Sequence, residues 1–168
     1  MKARDLFIGI FVVALVAVLG WVWLMPTGLQ RAPALQLSTI DGRNINLADL
    51  HGRPVLVTFW ATSCPGCIEE MPHFSKLYRD LSPKGLEIIG VAVDYDPLPD
   101  VIALTQHRQL PYPIVHDTQA QAAQAFGDVR LVPTSFLIAP DGHIVQQTVG
   151  EIDMAALRKK IEAMLLKG

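Results

Sequence analysis

The chain has 168 residues, a length that accommodates one ordinary domain with an appendage. Its formal net charge of −2 and its lack of any basic run exclude the usual electrostatic signature of a nucleic-acid-binding protein, so no nucleic-acid partner is expected. Two cysteines are too few for a disulfide-rich scaffold, but they are enough for one disulfide-forming pair.

The first predicted element is an uncharged apolar segment at residues 6–25. As a helix it would be about 30 Å long, which matches the hydrocarbon core of a bilayer. It also explains why the chain is 51% hydrophobic, above the usual share of about 45–50%. Because Lys2 and Arg4 precede it, the positive-inside rule predicts a cytoplasmic N-terminus at residues 1–5. We therefore expect a single-pass protein of the cell inner membrane, with its C-terminal domain in the periplasm or another extracytoplasmic space.

A cleaved signal peptide is the alternative for this segment. Ala32-Pro33-Ala34 has the small-x-small form of a cleavage site, but the apolar core of a signal peptide is usually about 7–15 residues long. An uncleaved anchor is therefore favoured. Residues 26–33 contain two prolines and a glycine and are predicted to be a linker. Residues 34–168 show no repeat and are predicted to form one domain.

The elements predicted within this domain alternate between extended and helical patterns. In chain order they are a hairpin of 34–39 and 44–47, a strand at 55–60, a helix at 67–81 with a kink at Pro72, a strand at 86–93, a helix at 99–108, a short strand at 112–116, a helix at 118–126, a second hairpin of 135–139 and 144–149, and a helix at 153–166. The runs at 55–60 and 86–93 are apolar throughout, which is typical of strands covered by helices on both faces. The pattern predicts an α/β fold with a central mixed β-sheet.

Both cysteines lie in the stretch ATSCPGCIEEMP, as Cys64 and Cys67. A structural zinc site normally takes four ligands, and no second Cys or His pair at suitable spacing is present, so no metal and no cofactor are predicted. A purely structural disulfide is also a poor fit, because the stabilisation it gives in the chain-entropy model grows with the length of the loop it closes. The spacing favours a pair that exchanges disulfides.

The position of the pair supports this function. Cys64 is predicted to cap a helix, where free N–H groups and the helix dipole favour a thiolate over a thiol. Pro65 suits the first helical position, which needs no N–H group. Cys67 lies one turn further into the helix and is expected to be less exposed. The pattern therefore predicts Cys64 as the nucleophile and Cys67 as the resolving thiol.

These residues carry a resemblance to a known family. The segment from Val57 to Cys67, the following Glu70-Met71-Pro72 and the later VPTSFLI at 132–138 resemble the thioredoxin superfamily, and more narrowly the membrane-anchored TlpA/ResA/CcmG-like thiol–disulfide oxidoreductases. The similarity covers essentially all of residues 34–168, including the N-terminal hairpin and a central insert at about 98–126. It implies a thioredoxin-like fold preceded by one transmembrane helix.

The resemblance also implies roles for individual residues. Cys64 and Cys67 would form the redox-active disulfide, and Pro133 would follow a cis peptide bond facing them. The neighbouring residues would support the active site and bind substrate, namely Trp60, Ser63, Pro65, Gly66, Val132 and Pro133. The alternative for Pro133 is a proline that merely begins a strand.

The sequence departs from the family pattern at several positions. Ser63 stands where the family usually has Trp, and Thr58 stands where thioredoxins have a buried carboxylate that assists proton transfer. A second acidic position of ResA-like members aligns with Tyr95. One of its neighbours in the chain, Asp94 or Asp96, could replace that acidic group, but the favoured expectation is that both are loop carboxylates. Glu69 and Glu70 are expected to be solvated carboxylates in the first turn of the helix.

The resemblance suggests a reductant of disulfides in exported proteins, working in cytochrome c maturation or copper-site assembly. Its expected partners are such disulfide substrates, which could be apocytochrome c or a copper-site protein, and a membrane electron donor of the thiol-relay type. A disulfide-introducing oxidase of the same fold is one alternative. A non-enzymatic Cu(I) carrier is another, because Cys64 and Cys67 lie close to Met71 and His73, although Met71 fits the apolar helix face and His73 is expected to face solvent.

Overall fold

A computed structural model of the protein describes residues 15–16 and 30–166. The predicted cytoplasmic N-terminus at 1–5, most of the predicted anchor at 6–25 and the first residues of the linker lie outside the described residues. Within the described part of the chain, no helix has both the length and the apolar character needed to cross a bilayer.

The described domain contains seven strands and four α-helices. In chain order they are β1 (Gln36–Ser38), β2 (Asn44–Asn46), β3 (Val55–Trp60), α1 (Pro65–Leu81), β4 (Glu87–Ala92), α2 (Leu98–Arg108), β5 (Ile114–His116), α3 (Gln121–Ala125), β6 (Thr134–Ile138), β7 (Ile144–Val149) and α4 (Met154–Leu165). Two 3-10 helices, Leu47–Leu50 and Ser82–Lys84, follow β2 and α1. Each element predicted within residues 34–168 is present, with its boundaries moved by a few residues at most.

The main sheet has five strands in the order β5-β4-β3-β6-β7. Strand β3 pairs in parallel with β4 and antiparallel with β6, which makes the sheet mixed, as the sequence predicts. Strands β1 and β2 form a separate antiparallel hairpin. All six residues of β3 are buried because helices cover both faces of the sheet, and this explains the unbroken apolar run.

Apolar side chains fill the space on both sides of the sheet. One cluster lies under α1 and α4 and includes Leu56, Trp60, Met71, Phe74 and Leu157. The other includes Phe59, Phe126 and Phe136, whose rings lie in edge-on or tilted contacts with centroids 4.9–5.9 Å apart. The two clusters fix β3 between them, so the loop that follows β3 starts from a rigid base.

Candidate active site

Cys64 and Cys67 lie where β3 gives way to α1, and they form a disulfide with their Cα atoms 5.3 Å apart. Cys64 is the N-cap residue of α1, and its Sγ accepts a hydrogen bond from the backbone N–H of Cys67 at 3.2 Å. Pro65 takes the first helical position. The helix thus begins two residues earlier than the apolar periodicity alone predicted. Cys64 is half-buried and Cys67 is buried, as expected for an outer and an inner thiol.

The loop before β6 lies at the same end of the sheet. The Val132–Pro133 bond is cis, as the family resemblance implies. β6 begins at the next residue, Thr134, which pairs with Phe59 near the end of β3. The Pro133 carbonyl oxygen accepts a hydrogen bond from the backbone N–H of Gly150 at 2.8 Å. The cis bond is therefore held beside the end of β3. The loop that follows β3, at residues 61–64, carries Cys64 and is called the cysteine loop below.

The other predicted support residues surround the disulfide with different exposures. Ser63 and Pro65 are exposed, and Gly66 is half-buried. A Cβ atom on Gly66 would lie 3.2 Å from the Glu151 carboxylate, so Glu151 closely approaches the first turn of α1, between the two cysteines. Trp60 is buried beneath the site and Val132 packs on both apolar clusters.

Thr58 is uncharged and stands where thioredoxins have a buried carboxylate. It is buried, and its hydroxyl accepts a hydrogen bond from the hydroxyl of Ser135, its partner across the β3–β6 pair, at 3.0 Å. The two hydroxyls satisfy each other between the strands. A buried carboxylate must therefore come from another position if one is to serve Cys67.

Glu70 is a buried carboxylate near Cys67, and the prediction that it is solvated is wrong. Its side chain is only 5% exposed, and its Oε1 accepts a hydrogen bond from the backbone N–H of Ile152 at 2.6 Å. Its Oε2 is also buried and has no hydrogen-bond partner among the described residues. Burial raises the pKa of Glu70 and the charge of Glu151 raises it further, whereas the Ile152 hydrogen bond lowers it. Glu69, in contrast, is exposed as expected.

Glu70 and Cys67 line the same narrow cavity, of about 10 Å³. The remaining walls are mostly apolar and are formed by Thr58, Trp60, Met71, Phe74 and Tyr112. Burial, together with the charge of Glu70, raises the pKa of Tyr112 far above its ordinary value. The cavity therefore places a carboxyl group with a raised pKa beside the inner cysteine.

A sequence signal for Glu70 does exist. Positions three and four residues apart share one face of a helix, so Glu70 lies on the face that carries Cys67, Met71 and Phe74. A carboxylate on a buried face is rare unless it is paired or functional. What the sequence does not show is the Ile152 N–H group, which lies 82 residues away in the chain.

Asp94 and Asp96 are both loop carboxylates as expected, but only Asp94 is exposed. Asp96 is buried, and its carboxylate accepts hydrogen bonds from both the backbone N–H and the hydroxyl of Thr62, the latter at 3.0 Å. Its own carbonyl oxygen accepts a hydrogen bond from Nε2 of His116 at 2.8 Å. Asp96 therefore ties the loop after β4 to the cysteine loop.

The residues considered for copper do not converge. Met71 is buried in the core and His73 is exposed, both as predicted. Among the residues that the structure describes, no group of three or more His, Cys, Asp or Glu side chains is arranged to hold a metal ion.

Comparison with known proteins gives consistent matches. The model of the AhpC/TSA family matches residues 29–147. The thiol-disulfide oxidoreductase ResA of Bacillus anthracis is 35% identical over 122 residues, which cover 73% of this chain and 69% of that protein. ResA of Geobacillus thermodenitrificans is 34% identical over 133 residues, covering 79% of this chain and 75% of that protein. A crystal structure of a thiol:disulfide interchange protein of the thioredoxin family from Chlorobium tepidum is 27% identical, with a TM-score of 0.75, and the match covers 83% of this chain and 98% of that one.

Proposed function

This chain belongs to the AhpC/TSA family and is a TlpA/ResA/CcmG-like protein thiol–disulfide oxidoreductase, and we propose that it works as a reductant of disulfides in exported proteins. The observation that carries the disulfide exchange is the asymmetry of the cysteine pair, and the reducing direction is supported by the family resemblance. Cys64 caps α1 and is partly open to solvent, whereas Cys67 is buried beside Glu70. One thiol is thus placed to meet a substrate and the other to finish the reaction.

In the first step the Cys64 thiolate attacks one sulfur of a substrate disulfide. A mixed disulfide forms between Cys64 and that sulfur, the substrate S–S bond breaks, and the released thiolate takes up a proton. The N–H group of Cys67, which contacts Cys64 Sγ, and the positive end of the α1 dipole both favour the attacking thiolate.

In the second step Cys67 resolves the mixed disulfide. Glu70 accepts the Cys67 proton, the Cys67 sulfur attacks Sγ of Cys64, and the bond between Cys64 and the substrate breaks. The second substrate sulfur leaves as a thiolate and takes up a proton, which Glu70 or solvent returns. The substrate has gained two electrons and two protons, and the enzyme holds the Cys64–Cys67 disulfide. A carboxyl with a raised pKa suits this transfer, because it binds a proton more readily than an exposed carboxyl. A dithiol protein electron donor must then restore the reduced pair.

The proposed setting is supported by the sequence. An anchor at 6–25 would hold the domain in the periplasm or another extracytoplasmic space, beside a membrane electron donor. A reductant in an oxidising compartment needs such a dedicated supply. The family resemblance supports cytochrome c maturation or copper-site assembly as the pathway served.

The mechanism is tested with Cys64→Ser and Cys67→Ser in the full chain. Reduced protein is mixed with a disulfide-bonded peptide, and the products are separated by mass spectrometry. Cys67→Ser is expected to accumulate the mixed disulfide, because the resolving thiol is missing. Cys64→Ser is expected to lose at least about 99% of turnover, since general effects of this size follow the loss of a nucleophile. Turnover retained by Cys64→Ser would contradict the mechanism.

A further inference from the structure

Large apolar side chains are exposed at one end of the domain. Between residues 30 and 166, where the structure is described, five are exposed. Four of them lie at this end, namely Tyr95, Leu98, Leu131 and Val149, and the fifth, Leu166, follows α4. Tyr95 and Leu98 follow β4, Leu131 lies just before the cis bond that precedes β6, and Val149 ends β7. We name these four residues the apolar rim.

Strand pairing places the apolar rim around the disulfide. The carboxyl end of β3, the carboxyl end of β4, the start of β6 and the end of β7 all lie at one edge of the sheet. Neighbouring strands are about 4.8 Å apart, so the ends of β4 and β7 are separated by about 14 Å. Cys64 follows β3, which lies between them.

Tyr95 is the aromatic member of the rim, and it is 62% exposed. The residue directly before Cys64 is Ser63, which offers solvent a hydroxyl and little apolar area. Tyr95 thus supplies, from the neighbouring loop, the aromatic surface that Ser63 does not. A cluster of exposed apolar groups at a reactive site is a common mark of a binding surface.

The loop that carries Tyr95 is fixed on both sides of it. The backbone N–H of Val93 donates to the carbonyl of Trp60 at 3.1 Å, and the Asp96 carboxylate accepts the N–H and hydroxyl of Thr62. These contacts hold Tyr95 in register with the cysteine loop. The backbone of Tyr95 is therefore already ordered before a partner binds, and this limits the conformational entropy lost on binding.

We infer that the apolar rim docks the polypeptide around a substrate disulfide, and that Tyr95 determines specificity for cysteines flanked by aromatic or aliphatic residues. Asp96 is the positioning residue that keeps Tyr95 beside Cys64. The inference rests on the proposed function, since it names the substrate class of the same site. The occupant is an extended segment of the substrate chain, because only that segment is brought to the rim when its cysteine is joined to Cys64.

The test compares two peptide disulfides of equal ring size and charge. One has Phe and Leu beside its cysteines, and the other has Ser and Gly there. The second-order rate constant for reaction with the reduced full chain is measured for each. The protein is expected to prefer the apolar peptide by about tenfold, which corresponds to about 1.4 kcal/mol.

Substitutions test which residues cause the preference for the apolar peptide. Tyr95→Ala and Leu131→Ala are expected to lose most of the preference, because they slow the reaction with the apolar peptide more than the reaction with the polar peptide, and Tyr95→Phe is expected to retain it. Leu166→Ala is the matched control. Leu166 is exposed next to Leu165, which lies near Gly85 at the opposite end of β4, so its loss should leave both rate constants unchanged.

The positioning role of Asp96 is tested with a separate set of variants. Asp96→Ala is expected to lower the preference as Tyr95→Ala does, although Tyr95 is still present. Asp96→Asn should restore it, because an amide oxygen can still accept the Thr62 N–H group. Asp94→Ala, at an exposed neighbouring carboxylate, should change nothing. A loss of rate by Asp96→Ala that is equal for both peptides would overturn the positioning role.

Two results would overturn the inference. If the protein reacts equally with both peptides, or if Tyr95→Ala keeps the preference, the rim is not a docking surface although disulfide exchange stands. If neither peptide reacts with the unaltered protein, both the inference and the proposed function fail.

Discussion

Burial of the Glu70 carboxyl group bears both on the stability of the fold and on the proton transfer of the proposed mechanism. Its carboxyl group is buried, with one oxygen bonded to Ile152 N–H and the other without a partner among the described residues. Burial is the main reason that its pKa is raised above the ordinary value of 4.5. Ionising Glu70 therefore opposes folding, whereas the same raised pKa suits a group that accepts a proton from Cys67.

The first residue-scale prediction concerns Glu70→Gln and pH. Because the folded protein holds the Glu70 proton to a higher pH than the unfolded chain does, unfolding releases protons above pH 4.5. The free energy of unfolding should therefore fall as the pH rises from 4.5 through the raised pKa. Glu70→Gln cannot ionise, so this part of the decline should be absent. Urea unfolding at pH 5, 6, 7 and 8 measures it.

The control for this prediction is Glu69→Gln, which makes the same chemical change at the exposed neighbouring position. It should preserve the pH dependence of the unaltered protein. Glu70→Gln should also slow the resolution of the mixed disulfide without slowing its formation. A Glu70→Gln variant whose stability declines with pH as steeply as that of the unaltered protein would refute the buried ionisable role.

At the scale of elements, buried aspartates fix the loops at the carboxyl ends of the strands. Asp96 joins the loop after β4 to the cysteine loop. Asp117, directly after β5, accepts hydrogen bonds from the N–H groups of Ala122 and Ala123 at 3.0 and 2.9 Å, and so holds the start of α3. These contacts order the edge of the sheet where the disulfide lies.

The prediction at this scale is that Asp117→Ala lowers the free energy of unfolding by about 2 kcal/mol or more, because two N–H groups lose a charged, buried acceptor. Chemical denaturation of the full chain measures the change. The matched control, Asp94→Ala, removes an exposed carboxylate and should change stability by no more than about 0.5 kcal/mol. Equal effects of the two substitutions would show that Asp117 does not hold α3.

The elements themselves could be predicted from the sequence because their causes are local. Buried strands such as β3 show an apolar run, and α1 shows its period of three and four residues. The burial of Glu70 and Asp96 has a distant cause. It depends on Ile152 and Thr62, which lie 82 and 34 residues away, and neither contact leaves a pattern in the neighbouring sequence.

At the scale of the whole molecule, the described chain enters the domain far from the disulfide. The N–H of Ala32 donates to the carbonyl of Gly142 at 2.9 Å, in the turn between β6 and β7. That turn lies at the opposite edge of the sheet from Cys64, because β6 begins beside the carboxyl end of β3. With an anchor at 6–25, as the sequence predicts, the disulfide would face away from the point of attachment.

The charges around the cysteine pair bear on the direction of exchange. Glu70 lies beside Cys67, Glu151 approaches Gly66, and Asp96 binds the loop two residues before Cys64. Negative charge near the pair disfavours thiolates and so offsets the effect of the helix dipole. Reduced forms with less stabilised thiolates give lower reduction potentials. The arrangement therefore predicts a reductant.

The reduction potential of the Cys64–Cys67 couple tests this claim most directly. It is measured by equilibrating the full chain in a series of defined thiol–disulfide buffers and quantifying the free thiols. We expect a value near the thioredoxin end of the known range, at about −270 mV. A value near about −120 mV, which is that of a strong disulfide-introducing oxidant, would contradict the account.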